Sequence, residues 1–181
     1  MAENMSFRLG KIGIVPLNEH ADPMGHAMDT EDEPEVHFPQ PHYSTISYNT
    51  IMNDEDFAQA FERCEISGES FHHEDHVRLA WIYLRRYGPD EAPAHISAVI
   101  RRFAAHHGAS HKYHETITLA WMRFVALAMR NAPESASFED LVGAFPKLLD
   151  KNSLGEFYST AVLESEAARA SWVEPDLQLF R

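Results

Sequence analysis

Histidine is the residue type whose number and spacing in this sequence suggest chemistry. The chain of 181 residues contains 12 histidines and a single cysteine, Cys64. His73 and His76 lie three positions apart, and His107 and His114 follow further along the chain. Neutral imidazole is a ligand for Zn, Fe, Ni and Cu, and it is also the side chain that titrates closest to neutral pH. The sequence therefore favours metal binding or proton transfer, provided that the fold brings these rings together.

The elements that would position the histidines are helices with recognisable ends. Helix-stopping glycines or prolines follow each of the first four predicted helices, among them Gly88, Pro89 and Gly108. Ser137 and Asp140 form a capping-box pattern for a further helix, which Pro146 interrupts. The predicted helices cover roughly residues 53–64, 70–87, 90–107 and 113–130, then one from about residue 138 and one or two within 153–169. The sequence thus predicts an all-α fold, an up-down bundle of about four to six helices with antiparallel neighbours.

A helical wheel places these histidines on apolar faces. His73 and His76 lie near the centre of the apolar face of the second predicted helix, and His114 lies within that of the fourth. His107 shares the inward side of the third helix near its last turn. Because the helices alternate in direction, all four rings are expected at one end of the bundle. We predict His73, His76 and His114 as ligands of a divalent transition metal, with His107 or a carboxylate completing the shell; Zn and Fe are the first choices, and Ni and Cu are also compatible.

The residues beside these ligands provide candidates for acid–base chemistry. Glu115 and Glu69 are the predicted catalytic carboxylates, since both are next to the histidine cluster in sequence. Their alternative role is that of helix-terminal charges, which are favoured near a positive dipole end. Tyr113 and Thr118 are predicted to orient ligands or substrate.

Two function classes follow from this arrangement. The first is a metal-dependent enzyme acting on a small-molecule substrate, because three protein ligands leave an open position for hydrolytic, lyase or oxygen-dependent chemistry. The second is a non-enzymatic helical binding or accessory protein in which the histidines form a hydrogen-bonded polar cluster. A pH-sensing bundle that opens as its imidazoles become charged is a weaker third reading. The zinc-protease pattern fails, because Glu74 is one position late between His72 and His76.

Charge divides the chain into two parts. Residues 1–62 hold 12 acidic and 2 basic residues, and five of the 10 prolines lie between Pro16 and Pro41. We predict an extended or partly disordered acidic arm over residues 1–52, and a helical domain with a C-terminal extension over residues 53–181. The net charge of −13 disfavours nucleic acid and anionic membranes as partners. A homo-oligomer is compatible with the sequence.

The sequence also suggests a compartment. It contains no apolar stretch of the length that spans a bilayer and no secretory-type start, and Cys64 alone can form no internal disulfide. These features predict a cytoplasmic protein.

Three strings resemble a group of small bacterial helical proteins with no activity assigned to them. The first is Ser-Phe-His-His-Glu-Asp-His-Val-Arg-Leu-Ala-Trp from Ser70, and the second is Lys-Tyr-His-Glu-Thr-Ile-Thr from Lys112. The third combines Phe-Tyr-Ser from Phe157 with Glu-Ala-Ala-Arg from Glu166 and Trp-Val-Glu-Pro-Asp-Leu from Trp172. The resemblance covers roughly residues 66–177. It implies a stand-alone helical domain and carries over no cofactor or catalytic residue.

Overall fold

The computed structural model of the protein describes residues 52–134 and 136–180, so almost all of the predicted acidic arm lies outside the described residues. The predicted all-α fold is confirmed, and no strand occurs in the described part. None of the helices described there is both long enough and apolar enough to cross a bilayer. The α-helices are α1 (Asp54–Glu62), α2 (His73–His106), α3 (Glu115–Arg130), α4 (Phe138–Ala144), α5 (Thr160–Leu163) and α6 (Glu166–Ala170). Short 3-10 helices cover Ser110–Lys112, Pro146–Leu149 and Ser153–Glu156.

The helix ends follow local sequence rules. The Asn53 side chain caps α1 by accepting a hydrogen bond from the Asp56 amide at 2.9 Å. Ser137 and Asp140 form the predicted capping box at the start of α4, and Pro146 begins the 3-10 helix two residues after the end of α4. Within α2, Gly88 has φ +75° and ψ 172°, which breaks the helix into a first half (residues 73–87) and a second half (residues 89–106). These halves correspond to the second and third predicted helices.

Aromatic contacts show that the two halves of α2 run in opposite directions. Phe71, just before the first half, lies 5.1 Å from Phe103 near the end of the second half, measured between ring centroids. At the break itself, Tyr87, just before Gly88, stacks on His95, which follows it, with the ring centroids 3.9 Å apart. Phe61 of α1 stacks on Phe103 at 4.3 Å and is fully buried. The start of α2 therefore lies beside its end, and α1 covers that region.

The side of α2 opposite its apolar face is less exposed than the helical wheel predicts. Arg78, a charged residue of the first half of α2, is buried and forms an ion pair with Asp54 at 2.8 Å. Thr116, a polar residue of α3, is 0% exposed. A wheel drawn for one helix identifies one buried face only. In the structure, α1 covers a second face of α2, and the C-terminal segment (residues 171–180) covers a second face of α3.

The C-terminal part of the chain packs across α3. The Thr116 hydroxyl donates to the Ser171 carbonyl at 2.7 Å and accepts from the Val173 amide at 3.0 Å. The Leu177 amide donates to the Phe157 carbonyl at 3.0 Å, and Phe180 stacks on the Phe157 ring at 4.2 Å. This segment runs along α3, from Thr116 near its start to a pocket that Phe180 shares with Met129 and Arg130 near its end.

Candidate functional site

Three of the four predicted ligand histidines line the same cavity. It lies between the two halves of α2 and the start of α3, and its volume is about 230 Å³. His73 and His76 reach it from the first turn of α2, and His114 reaches it from the residue that precedes α3. The other lining residues are Ala80, Ile96, Ile100, Lys112, Tyr113, Ile117, Thr118 and Trp121.

His114 has a structural hydrogen-bonding role at both ring nitrogens. Its Nδ1 accepts a hydrogen bond from the Ile117 amide at 3.2 Å and so caps α3. Its Nε2 lies 2.8 Å from the Leu163 carbonyl, which can only accept, so Nε2 carries the proton. Burial and the charge of Arg169 lower the pKa of His114. The ring is therefore held neutral in one tautomer, with no lone pair left for a metal.

His73 is bonded at one nitrogen only. Its Nε2 donates to the Leu148 carbonyl at 2.9 Å, and its ring lies edge-on to Trp121 with a centroid separation of 4.4 Å. Within the described part of the chain, no atom hydrogen-bonds to Nδ1. Burial lowers the pKa of His73, and the positive charge of nearby Lys151 lowers it further. The Nδ1 lone pair of a neutral ring is thus available for a ligand.

His76 is the imidazole with the greatest unused hydrogen-bonding capacity. Its ring packs edge-on against Phe71 at 4.4 Å, and no atom of the described residues hydrogen-bonds to either ring nitrogen. Burial, with a smaller contribution from His73, lowers the pKa of His76 to about 4. The ring is partly exposed within the cavity rather than fully buried, so water or a ligand there satisfies its two nitrogens. His76 is therefore the side chain in this cavity most in need of a bound polar group.

Glu115 stabilises the mouth of the cavity from outside its lining. Its carboxylate accepts hydrogen bonds from Tyr113 at 2.5 Å, from Arg101 at 2.6 Å and from Ser97 at 3.2 Å. Burial alone would raise the pKa of Glu115, but the hydrogen bonds from Tyr113 and Arg101 outweigh it and lower that pKa. Burial and the hydrogen bond to Glu115 raise the pKa of Tyr113. Glu115 is thus an ionised anchor for Tyr113, which itself lines the cavity.

The two remaining predicted site residues lie elsewhere. Glu69 is exposed in the turn before α2, and its amide donates to Ser67 Oγ at 3.2 Å. His107, expected to face inward, is exposed and packs against the edge of Phe103 at 4.4 Å. It follows the last residue of α2, where the backbone leaves helical geometry, so helical periodicity no longer determines its direction. Neither residue lines the cavity.

The arrangement lacks a ready-made metal shell. In residues 52–134 and 136–180, no group of three His, Cys, Asp or Glu side chains is positioned to hold a metal ion. His114 explains part of this result, because its nitrogens are already bonded. The Leu148 and Leu163 carbonyls, which bind two of the rings, could not be found from the sequence, since every residue type carries a backbone carbonyl. Comparison with known proteins adds no assignment: no family model, curated protein or solved structure matches the chain.

Proposed function

We propose that the protein is an enzyme that binds and transforms a small molecule in the histidine-lined cavity. The observation that carries this proposal is the His76 ring, which has no hydrogen-bond partner among the described residues, in a cavity of about 230 Å³ that His73 and His114 also line. A cavity of about 150 Å³ is already large enough for benzene, so this one accommodates a ring with a substituent. Convergent polar groups in an otherwise apolar pocket are typical of small-molecule sites.

His76 is the proposed acid–base group and His73 its neighbour in substrate binding. With a pKa lowered to about 4, the His76 ring is neutral at physiological pH and offers one donor and one acceptor nitrogen. A negatively charged substrate group beside it would raise its pKa towards neutrality, where proton transfer is most efficient. Tyr113, held by Glu115, positions the substrate from the opposite segment.

A divalent transition metal is a narrower form of the same proposal. Among the described residues, nothing hydrogen-bonds to Nδ1 of His73 or to either nitrogen of His76, and the two histidines lie three residues apart on one helical turn. This supports a two-imidazole site for Zn or Fe, with Ni or Cu as further candidates. Metal analysis of untagged protein after reconstitution tests this form. Near-stoichiometric metal that is lost in His73→Ala and kept in His111→Ala would support it, whereas no uptake would leave a metal-free site.

The second candidate function is a non-enzymatic binding or accessory protein. The observation that favours it is that His73 and His114 each bond a distant backbone carbonyl, as members of a structural polar cluster do. The two candidates differ in turnover, since a binding protein releases its ligand unchanged.

Protein-observed NMR with a fragment library tests the shared claim that the cavity is a ligand site. Bound fragments should shift the imidazole signals of His76 and the indole signal of Trp121. Thr118→Phe, which places a large side chain on a lining position, should abolish those shifts, and His111→Ala should not. Fragments that bind without perturbing His76 or Trp121 would overturn the proposal.

A further inference from the structure

The lining of the cavity has an uneven distribution of charge. Lys112 is the only lysine, arginine, aspartate or glutamate among the described lining residues. Lys112 is exposed, ends a 3-10 helix, and forms no ion pair within residues 52–134 and 136–180. The mouth of the cavity therefore presents an unpaired cation in a chain whose net charge is −13.

Two helix starts add to this positive potential. The first half of α2 begins at His73 and α3 begins at Glu115, and residues at both starts line or adjoin the cavity. The amino end of a helix carries a partial positive charge. Of the acidic side chains nearby, Asp75 accepts from the His72 amide at 2.7 Å and Glu115 is paired with Arg101. Glu74 is exposed to solvent, and the charge of Asp150 at His73 is opposed there by that of Lys151. None of these carboxylates lines the cavity, so none neutralises it from within.

The deeper walls are apolar. Ile96 is 1% exposed and Ala80 is 1% exposed, and both face the same space as Trp121 and Ile117. Such walls exclude a fully hydrated ion and favour an apolar body. A single ammonium group is a poor match for a dianionic phosphate, which proteins usually bind with several charged or backbone donors. One carboxylate matches one Lys112 ammonium and one donor nitrogen of His76.

We propose that the cavity binds a small organic carboxylate, with its carboxylate between Lys112 and His76 and an aromatic or branched body against Trp121, Ile96 and Ile117. This inference rests on the proposed function, because it assigns the substrate class of the same site. Lys112 acts in it as a specificity-determining residue, since it selects the charge of the ligand without serving as the acid–base group.

Benzoate, benzamide and benzamidine test the inference, because they share one shape and differ in charge. Their dissociation constants are measured by NMR titration of the Trp121 indole signal at about pH 7.5 and low salt, where charge effects are least screened. Benzoate should bind about tenfold more tightly than benzamide, as expected for one charge-assisted hydrogen bond, and benzamidine most weakly. Lys112→Met should remove most of that preference and leave benzamide affinity unchanged, while Lys147→Met, at a lysine paired with Glu156, should change neither.

The outcomes separate a failure of the carboxylate assignment from a failure of the proposed small-molecule site. Equal affinity for benzoate and benzamide, or a preference that survives in Lys112→Met, would overturn the carboxylate assignment and leave a neutral-ligand site in place. If none of the three probes shifts the Trp121 and His76 signals at concentrations of about 10 mM, the cavity does not accept a small ring, and both proposals fail.

Discussion

The three imidazoles that line the cavity differ in how many of their nitrogens are bonded, and this difference separates structure from function. His114 uses both nitrogens to hold α3 and Leu163, His73 uses one, and His76 uses none within the described residues. A ring nitrogen that is already hydrogen-bonded within the chain is not available to bind a ligand. Substitution at these positions should accordingly change different properties.

Replacing His114 should mainly destabilise the fold. His114→Ala removes the cap of α3 and leaves the Leu163 carbonyl without its donor, for an expected loss of about 2–3 kcal/mol in the free energy of unfolding. His114→Asn, whose side chain can still cap the helix, should recover about 1 kcal/mol. Urea denaturation measures both, with exposed His111→Ala as the control. A His114→Ala protein as stable as the His111→Ala protein would contradict the structural role.

Stability should decrease as the pH falls from about 7 towards 4. In the unfolded chain these histidines have pKa values near 6.5, whereas burial lowers the pKa of His73, His76 and His114 in the folded protein, that of His76 to about 4. Below pH 6.5 the unfolded state therefore binds more protons than the native state, and stability present above that pH is lost. For His76 alone, the loss over this window is on the order of 3 kcal/mol.

Urea denaturation at several pH values between about 7.5 and 5 measures this dependence while most carboxylates stay ionised. His76→Leu should flatten the profile, since it removes the most strongly shifted of the three groups, and exposed His106→Gln should leave it unchanged. Equal free energies of unfolding across that range would show that the imidazoles are not buried as described, and would also remove the pH-sensing alternative.

Helical periodicity could predict much of this site, but not the partners of its rings. The wheels put His73, His76 and His114 on inward faces, and in the structure the three line one cavity. They could not predict the exposure of His107, which lies just beyond a helix, or the carbonyl partners 75 and 49 residues away from His73 and His114. Backbone carbonyls leave no pattern in a sequence.

At the level of elements, the break in α2 is the feature that closes the cavity, because it folds the second half of the helix back on the first. Gly88 and Pro89 allowed the sequence to predict two helices here, and the structure shows that a single residue reverses the chain without a loop. Pro89 opens the second half, where its missing amide donor costs nothing. The conformation of Gly88 itself, with φ +75° and ψ 172°, is almost exclusive to glycine.

Gly88→Ala should therefore destabilise the protein by about 1–3 kcal/mol, because alanine is strained in this conformation even though no atom lies within 4 Å of the added Cβ. Gly143→Ala is the matched control, since Gly143 is helical in α4 and its Cβ would also meet open space. That substitution should stabilise the protein by about 0.5–1 kcal/mol. Thermal and urea denaturation of the two variants should shift in opposite directions. A shift in the same direction would mean that the turn tolerates a side chain.

Across the whole molecule, the C-terminal segment is bound to the bundle by the same kinds of contact as the helices are to one another. Tyr158 is 1% exposed, and its hydroxyl donates to the Val173 carbonyl at 3.0 Å. Arg169 donates to the His111 and Tyr113 carbonyls at 3.1 and 3.2 Å and so fixes the segment that leads into the cavity. Composition could predict a helical body, but these links depend on single polar atoms that meet only after folding.

Removing residues 172–181 should therefore destabilise the entire bundle rather than only its end. The truncation leaves the buried Tyr158 hydroxyl without an acceptor, exposes the Phe157 ring and frees one side of Thr116, for an expected loss of about 3–5 kcal/mol. In the full chain, the Val173 and Leu177 amides should exchange with solvent as slowly as those in the middle of α3, as measured by hydrogen exchange. Leu179→Ala, at a side chain 45% exposed, should change stability little. Fast exchange at Val173 and Leu177 with protection retained in α3 would show instead that the segment opens independently of the cooperative core.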